Sequence, residues 1–186
     1  MTTEHGITKA LDVGCGWGRH MSVLLENKVD FCAGIDVSPS MIKKANDLYE
    51  QYGNDRVLIK LEDAQKLSFK DEFFDLVICM TNTFGNLTEE VGRKAISEIY
   101  RVLKPKGTFI LSVYRDSPIA KKTREESYVA VGLKPYPVDD PSVIMTQEGL
   151  YSKQFTYREI TNFLRSFKDI EKTEVNELAV IIKAHK

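Results

Sequence analysis

Short, continuous apolar runs alternate with longer stretches of helical periodicity over most of the chain. The runs lack the polar alternation of half-exposed strands and therefore predict strands that are covered on both faces. They span residues 7–13, 29–35, 57–61, 74–80 and 108–114, and the helical stretches between them span 19–27, 39–52 and 88–103. Alternation of this kind predicts a parallel sheet whose crossovers are right-handed.

Local signals mark where several of these elements begin and end. Ser38 is a suitable N-cap for the second helix, Pro39 suits its first turn, and Gly53 stops it. The segment Lys104–Gly107 (KPKG) predicts a turn between the third helix and the fifth strand.

The alternation breaks after the fifth strand. The segment 115–155 contains four of the six prolines, the charged cluster KKTREES, and a hairpin pattern that turns at Glu148-Gly149. We predict a single domain over residues 1–186, with an insertion at about 115–155 that acts as a lid or a substrate-binding element. After the insertion, a helix is predicted at 156–167 and strands at 170–175 and 178–184.

Composition restricts the classes of function. A chain of 186 residues suffices for one domain with a substantial core, and its formal net charge of -1 argues against general nucleic-acid binding. No apolar run has the length of a membrane span, and the opening MTTEHG lacks a signal-peptide pattern. Three cysteines without a CxxC or His/Cys cluster predict reduced thiols in a cytoplasmic protein and no metal site.

Three glycines fall within five positions after the first strand. Gly14, Gly16 and Gly18 predict a turn into the next helix, where backbone N–H groups can face a ligand. Their G-x-G-x-G spacing differs from the G-x-G-x-x-G that brings a helix N-terminus against a pyrophosphate. Asp12 stands just before them.

The next three strands also end in polar residues. Asp36 ends the second strand about twenty residues after the glycines, where a carboxylate can bind both ribose hydroxyls. Asp63 follows the third strand, and Thr81, Asn82 and Thr83 follow the fourth. Because parallel strands present their carboxyl ends at one edge of the sheet, the pattern predicts a ligand site there.

At these motifs the chain resembles the class I S-adenosylmethionine-dependent methyltransferases, over nearly its whole length. LDVGCGWGRH, GIDVSPSM, LEDAQKLSF and FDLVICMTNTFGN resemble the family's first four motifs in order and spacing, and RVLKPKGTFILSVY is similar to its fifth-strand signature. The resemblance implies a Rossmann-like α/β three-layer sandwich with a seven-stranded, mostly parallel sheet and one antiparallel strand. It implies S-adenosyl-L-methionine as cofactor and S-adenosyl-L-homocysteine as product.

The resemblance also implies roles at the matching positions. Asp12 would supply negative potential near the cofactor's ammonium, and Asp36 would bind the ribose hydroxyls. Asp63 would accept from the adenine amino group, while the Ala64 N–H donates to the ring. The other implied cofactor residues are Gly14, Cys15 and Gly16 in the loop, Arg19 toward the cofactor carboxylate, Val37 and Met41 beside the adenine, and Thr81.

The methyl acceptor is harder to predict, because the sulfonium is already activated and the enzyme needs chiefly to orient a nucleophile. The fourth motif lacks the [DNS]-P-P-[YFW] pattern of amino-directed enzymes, and Cys79 lacks the Pro-Cys context of a cytosine-directed nucleophile. The candidate catalytic residues are Asn82, Tyr114 and His20. We therefore expect transfer to an N, O or C nucleophile of a small molecule. Further residues expected at the acceptor side are Thr83, Phe84, Arg115, Tyr128, Tyr136, Tyr151 and Phe155.

Other functions stay open from the sequence. A nicotinamide dehydrogenase would need the third glycine one position later and has no use for Asp63. A non-catalytic, S-adenosylmethionine-binding regulatory subunit fits the absence of an evident base, and a third candidate is a methyltransferase acting on protein or RNA. Only about six residues precede the first strand. We therefore expect that the insertion covers the cofactor, that a second subunit does so, as in a homodimer, or that the chain is a shortened form.

Overall fold

The structure is a computed structural model that describes residues 6–186, and its centre is a seven-stranded sheet. The described chain contains the strands β1 (Lys9–Val13), β2 (Phe31–Asp36), β3 (Val57–Leu61), β4 (Phe74–Cys79), β5 (Leu103–Tyr114), β6 (Pro135–Tyr136), β7 (Val143–Thr146), β8 (Tyr151–Lys153), β9 (Lys168–Val175) and β10 (Ala179–His185). Its helices are α1 (Arg19–Glu26), α2 (Pro39–Tyr49), α3 (Glu89–Val102), α4 (Pro118–Ala130) and α5 (Tyr157–Phe163).

The sheet has the strand order β3-β2-β1-β4-β5-β10-β9. Strands β1 to β5 pair in parallel, and β10 runs antiparallel to both β5 and β9. The fold class predicted from the sequence is therefore confirmed. The chain winds from β1 outward through β2 to β3 and then returns to the other side of β1 with β4. The order thus reverses between β1 and β4, and such a reversal opens a crevice at the carboxyl ends of the strands.

Helices cover both faces of the sheet, because successive strand residues point to opposite sides. In β1, Ala10 packs in the cluster with α1 and α2, whereas Leu11 packs in the larger cluster with α3 and α5. Helix α2 begins as predicted: the Ser38 hydroxyl accepts from the Met41 N–H, and Pro39 occupies the first turn. No helix within residues 6–186 is both long and apolar enough to cross a membrane.

Two segments differ from their sequence predictions. The predicted turn at KPKG lies within β5, where the pairing of β5 with β4 shifts register and Lys106 has a φ of 65°. The Lys106 N–H donates to the Lys186 carbonyl. The segment Lys104–Gly107 is therefore a bulge in a paired strand rather than a free turn. The charged cluster KKTREES belongs to helix α4, which the sequence analysis did not predict.

The segment 115–155 consists of α4 followed by a small three-stranded sheet of order β6-β7-β8. The predicted hairpin is present, since β7 and β8 pair antiparallel around a turn in which Gly149 has a φ of 88°. Arg115 and Phe155, at the two ends of the segment, form an isolated parallel bridge. The segment therefore leaves and re-enters the main sheet at one place.

Helix α5 supplies a prediction about stability. It begins with a capping box, in which the Glu159 N–H donates to Thr156 Oγ1 at 3.2 Å and the Thr156 N–H donates to Glu159 Oε2 at 2.8 Å. We expect Thr156→Ala to destabilise the protein by about 1 kcal/mol, which lowers Tm by roughly 2–4 °C. Thr156→Ser keeps the hydroxyl and serves as the control. Equal Tm values for the two variants in thermal unfolding followed by circular dichroism would contradict the prediction.

Candidate functional site

A cleft of about 240 Å³ opens at the carboxyl ends of β1, β2 and β3, beside the reversal of strand order. The predicted residues Gly14, Asp36, Val37, Asp63 and Ala64 all line it. Val37 is 68% exposed, an unusual environment for a valine, and it stands on the open side of the cleft. The remaining lining residues are Val13, Ile35, Glu62, Thr83, Asn86 and Leu87.

The glycine turn is held by backbone hydrogen bonds, and this corrects one expectation. The Gly14 and Cys15 N–H groups both donate to the Ile35 carbonyl, at 2.8 and 2.9 Å, so neither faces a ligand. The Gly16 N–H donates to Asp36 Oδ2 at 2.9 Å. Gly16 has a φ of 55°, and a Cβ built there would meet no atom within 4 Å, so the space above it is open.

Asp36 connects the first two strands at the site. Its Oδ2 accepts from Gly16, and its Oδ1 accepts from the Ser38 N–H at 2.8 Å. Each carboxylate oxygen has a second lone pair, so the half-buried side chain can still accept from a ligand's hydroxyls. Ser38, as predicted, rather than Asp36 caps helix α2 with its side chain.

Of the predicted adenine-binding residues, Val37, Asp63 and Ala64 line the cleft, whereas Met41 does not. Asp63 is exposed, and its two oxygens accept from the Gln65 N–H at 2.8 Å and from Gln65 Nε2 at 2.9 Å. These bonds fix the carboxylate and leave it further acceptor capacity. Ala64 is half-buried in the cleft wall, and Met41 is half-buried in the first turn of α2.

Asp12 is a fully buried acid without a hydrogen-bond partner. Its exposed fraction is 0%, and neither carboxylate oxygen has a partner in the described chain. Its pKa is raised from 3.8 to about 7, chiefly by burial and also by the nearby Asp36 carboxylate, while Arg19 acts in the opposite direction. His20 Nδ1 lies 3.9 Å from Asp12 Oδ2, but burial and Arg19 lower the pKa of His20, so the imidazole is a poor counter-ion. Asp12 can therefore act on a ligand through its field from beneath the loop.

Arg19, Thr81 and Cys15 differ in accessibility. Arg19 and Thr81 are exposed, and Arg19 Nη2 donates to Thr81 Oγ1 at 3.2 Å, which places the guanidinium beside the end of β4. Cys15 is buried, burial raises the pKa of its thiol, and the thiol donates to the Gly16 carbonyl within the turn at 3.5 Å. Cys79 is also buried, with a pKa raised to about 12, which confirms that it is a core thiol.

The candidate catalytic residues have unequal freedom to act. Asn82 is buried; its Oδ1 accepts from the Tyr114 N–H at 3.0 Å, and its Nδ2 donates to Ser152 Oγ at 3.4 Å. The Asn82 side chain is therefore hydrogen-bonded at both ends of its amide, which gives it a structural role; its part in catalysis stays a prediction. Tyr114 is half-buried and keeps its hydroxyl as a candidate, and His20 is half-buried beneath the loop.

Two aromatic residues expected at the acceptor side lie in the core instead. Phe84 and Phe155 are 1% and 2% exposed, and both pack against Phe163 of α5. They are thus packing residues, because the segment after β8 returns under the sheet edge. Within residues 6–186, His, Cys, Asp and Glu form no group of three that could bind a metal.

Some residues of the site have no signal in the sequence. Glu62 and Leu87 line the cleft from loops and Asn86 from a short 3-10 turn, none of which has a periodic pattern. Helix α4 was not predicted either, although Ser117-Pro118 repeats the Ser38-Pro39 start of α2 and caps α4 in the same way.

The residues present fit an adenosyl cofactor that carries an ammonium group. Asp36 and Asp63 are acceptors around one cleft, and the space over Gly16 is open. The unpartnered, buried carboxyl of Asp12 ionises above about pH 7 and would then supply the negative charge that a cation compensates. Arg19 offers the opposite charge for a ligand's carboxylate on the exposed side.

Comparisons with known proteins agree with this architecture. A family model described as a methyltransferase domain matches residues 10–107, more than half of the chain. A glycine/sarcosine N-methyltransferase of Parasynechococcus marenigrum (strain WH8102) is 37% identical over 112 residues, which cover 58% of this chain and 38% of that protein. The chain spans about two fifths of the length of the curated relatives it matches.

Two solved structures are similar in fold. The PH0226 protein from Pyrococcus horikoshii OT3 superposes with a TM-score of 0.76 over 95% of this chain and 82% of that one, at 22% identity. The 1,6-didemethyltoxoflavin-N1-methyltransferase of Burkholderia thailandensis, with 1,6-didemethyltoxoflavin and S-adenosylhomocysteine bound, superposes with a TM-score of 0.69 over 96% and 70%, at 16% identity. At these identities the similarity shows the fold.

The buried Asp12 predicts a pH-dependent stability. In the folded protein Asp12 keeps its proton up to about pH 7. In the unfolded chain the same carboxyl has its ordinary pKa of 3.8 and therefore loses the proton at a much lower pH. Ionisation of Asp12 therefore destabilises the folded state as the pH rises between these values, by about 4 kcal/mol in all. We expect the Tm of Asp12→Asn, relative to the native protein, to rise from about pH 4 to about pH 8. A difference independent of pH would contradict the prediction.

Proposed function

The chain belongs to the methyltransferase-domain family, the class I S-adenosylmethionine-dependent methyltransferases, and on this premise we propose that it methylates an N, O or C nucleophile of a small molecule. Its cofactor is S-adenosylmethionine. The observation that carries the proposal is the meeting of Asp12, Asp36 and Asp63 with the glycine turn at one end of the sheet. A relative described as a glycine/sarcosine N-methyltransferase supports a small acceptor.

When bound, S-adenosylmethionine supplies an activated methyl group on a positively charged sulfur. The chain's own residues bind and orient it: Asp36 accepts from the ribose hydroxyls, Asp63 accepts from the adenine, and Val37 covers the ring. Such positioning of two reactants contributes roughly 7–11 kcal/mol to lowering a barrier. A dedicated base is therefore not a requirement of the reaction, which agrees with the occupied amide of Asn82.

The segment 115–155 provides the acceptor side in this proposal, as a substrate-binding element within a single domain. It joins the sheet at Arg115 and Phe155, directly after β5, and Tyr114 stands at that junction. We also assign the protein to the cytoplasm, because Cys15, Cys32 and Cys79 are free and buried. The formal net charge of -1 favours a small acceptor over RNA.

A cofactor-binding protein without transferase activity is the main competing function. The two functions predict the same affinity for S-adenosylhomocysteine but different turnover. Incubation with S-adenosylmethionine and a fractionated metabolite extract should produce S-adenosylhomocysteine if the chain is an enzyme. Tight binding with no product from any fraction would favour the binding protein.

The first prediction of the proposed function concerns Asp36. Loss of a carboxylate that accepts two hydroxyls costs roughly 1.5–3 kcal/mol, so Asp36→Ala should weaken S-adenosylhomocysteine binding about ten- to a hundredfold in calorimetry. Because Asp36 also accepts from the Gly16 and Ser38 N–H groups, Ser38→Ala is the control for disturbance of the α2 start. Unchanged affinity in Asp36→Ala, or an equal loss in Ser38→Ala, would refute the assignment.

The second prediction concerns Tyr114. Once an acceptor is known, Tyr114→Phe should lower the turnover number at least about tenfold, because its hydroxyl is a candidate for contact with the acceptor. The affinity for S-adenosylhomocysteine should not change, since Tyr114 does not line the cofactor cleft. Tyr52→Phe, which changes an exposed tyrosine just beyond α2, is the matched control. Full turnover of Tyr114→Phe would remove the residue from the mechanism.

A further inference from the structure

The side chain of Arg124, in helix α4, is buried in the interior of the segment 115–155. Arg124 is 0% exposed, and among the residues of α4 only Ala120 is buried with it. The opposite side of the helix is an ordinary solvated surface, on which Lys122 and Glu126 pair at 3.8 Å. The burial of Arg124 is therefore specific to one face of an otherwise charged helix.

The guanidinium of Arg124 is bound only by neutral groups. Its Nη1 donates to the Ser152 carbonyl at 2.9 Å and to Ser152 Oγ at 3.3 Å. Its Nη2 donates to the Ser142 carbonyl at 3.2 Å and to Gln154 Oε1 at 2.7 Å, and its buried Nε has no partner. Gln154 in turn donates to Asp116 at 2.7 Å, so a carboxylate is reached only through an amide.

A buried charge without a counter-ion is costly, and an apolar residue of similar volume usually replaces it without loss of stability. Arginine stays protonated in proteins, so this cation persists at neutral pH. In an interior of low polarity its field is weakly screened and extends several ångströms. The cluster around Arg124 therefore presents a positive charge with no directly bonded counter-ion, which the carboxylates of Glu125 and Asp116 oppose only through space.

The neighbours of Arg124 are the residues at the ends of β4 and β5. Its Cζ lies 5.6 Å from the centroid of the Tyr114 ring. Ser152 Oγ, which Arg124 contacts, also accepts from Tyr128 Oη at 2.8 Å and from Asn82 Nδ2 at 3.4 Å. Asn82 directly precedes Thr83 of the cofactor cleft. The charge is thus connected through Ser152 and Asn82 to the residue next to the cofactor cleft.

We propose that Arg124 is a specificity-determining residue, and that the methyl acceptor carries an anionic group, such as a carboxylate, held in front of Tyr114 by the field of this guanidinium. The inference rests on the proposed function, because a methyl acceptor exists only if the protein transfers methyl groups. The binding of an anion can nevertheless be measured without methyl transfer. The alternative is that Arg124 only fastens α4 to β8 through its bonds to Ser152.

The test compares acetate with acetamide, which have the same shape and differ in charge. Thermal unfolding of the full chain is measured in each at equal ionic strength, with sodium chloride as the balancing salt. The native protein should unfold at least about 2 °C higher in acetate than in acetamide. The gain should vanish in Arg124→Met and persist in Arg124→Lys. Arg158→Met, which removes an exposed arginine of α5, should keep it.

The same series with S-adenosylhomocysteine separates the anion site from the cofactor's own carboxylate subsite near Arg19. The acetate gain should persist in the product-loaded protein. Equal Tm values in acetate and acetamide for the native protein, a gain retained by Arg124→Met, or a gain abolished by product would each overturn the inference. If Arg124→Met does not fold, the native comparison and Arg124→Lys still decide. Failure of the proposed function shows separately, as absent S-adenosylhomocysteine binding in calorimetry.

Discussion

The hydrogen bond from the Gly16 N–H to Asp36 is the contact on which the site depends. It ties the turn after β1 to the end of β2, and the bonds of Gly14 and Cys15 to the Ile35 carbonyl reinforce it. Without these bonds the turn would be free to close over the cleft. The amides therefore shape the site by serving the protein's own backbone, and carboxylates rather than amides are left to meet the ligand.

The same geometry explains why Asp12 is buried without a hydrogen-bond partner and has a raised pKa. Strands on both sides of β1 and a glycine turn above it leave the carboxylate no hydrogen-bond donor among residues 6–186. A protein of marginal stability retains such a group only if something offsets its cost in use. A cationic cofactor would provide that offset. Binding of the cofactor and stability of the fold are consequently linked through one buried side chain.

Most of the fold could be predicted because its signals are local and repeated. The apolar runs at β1 to β4 and the Ser38-Pro39 cap specify elements within a few residues. The hydrogen bonds of the glycine turn and of the Asn82 side chain could not be predicted. Their partners, Ile35 and Ser152, are distant in sequence. Helix α4 was hidden by its charge, because only Ala120 and Arg124 form its buried face. Ala120, Arg124 and Tyr128 follow one another every four residues along one face of the helix, but they do not form an apolar stripe.

The polar cluster behind Tyr114 explains how an added segment can share in a site without altering the sheet. Ser152 of β8 joins Asn82 after β4 to Arg124 and Tyr128 of α4. In a buried network each hydrogen bond restrains its neighbours, so removal of one member leaves others unpaired. The position of α4 and the conformation at the end of β4 are thereby determined together. A different acceptor could be accommodated by changing residues of the segment 115–155, while the cofactor cleft, formed by the other strands, stays the same.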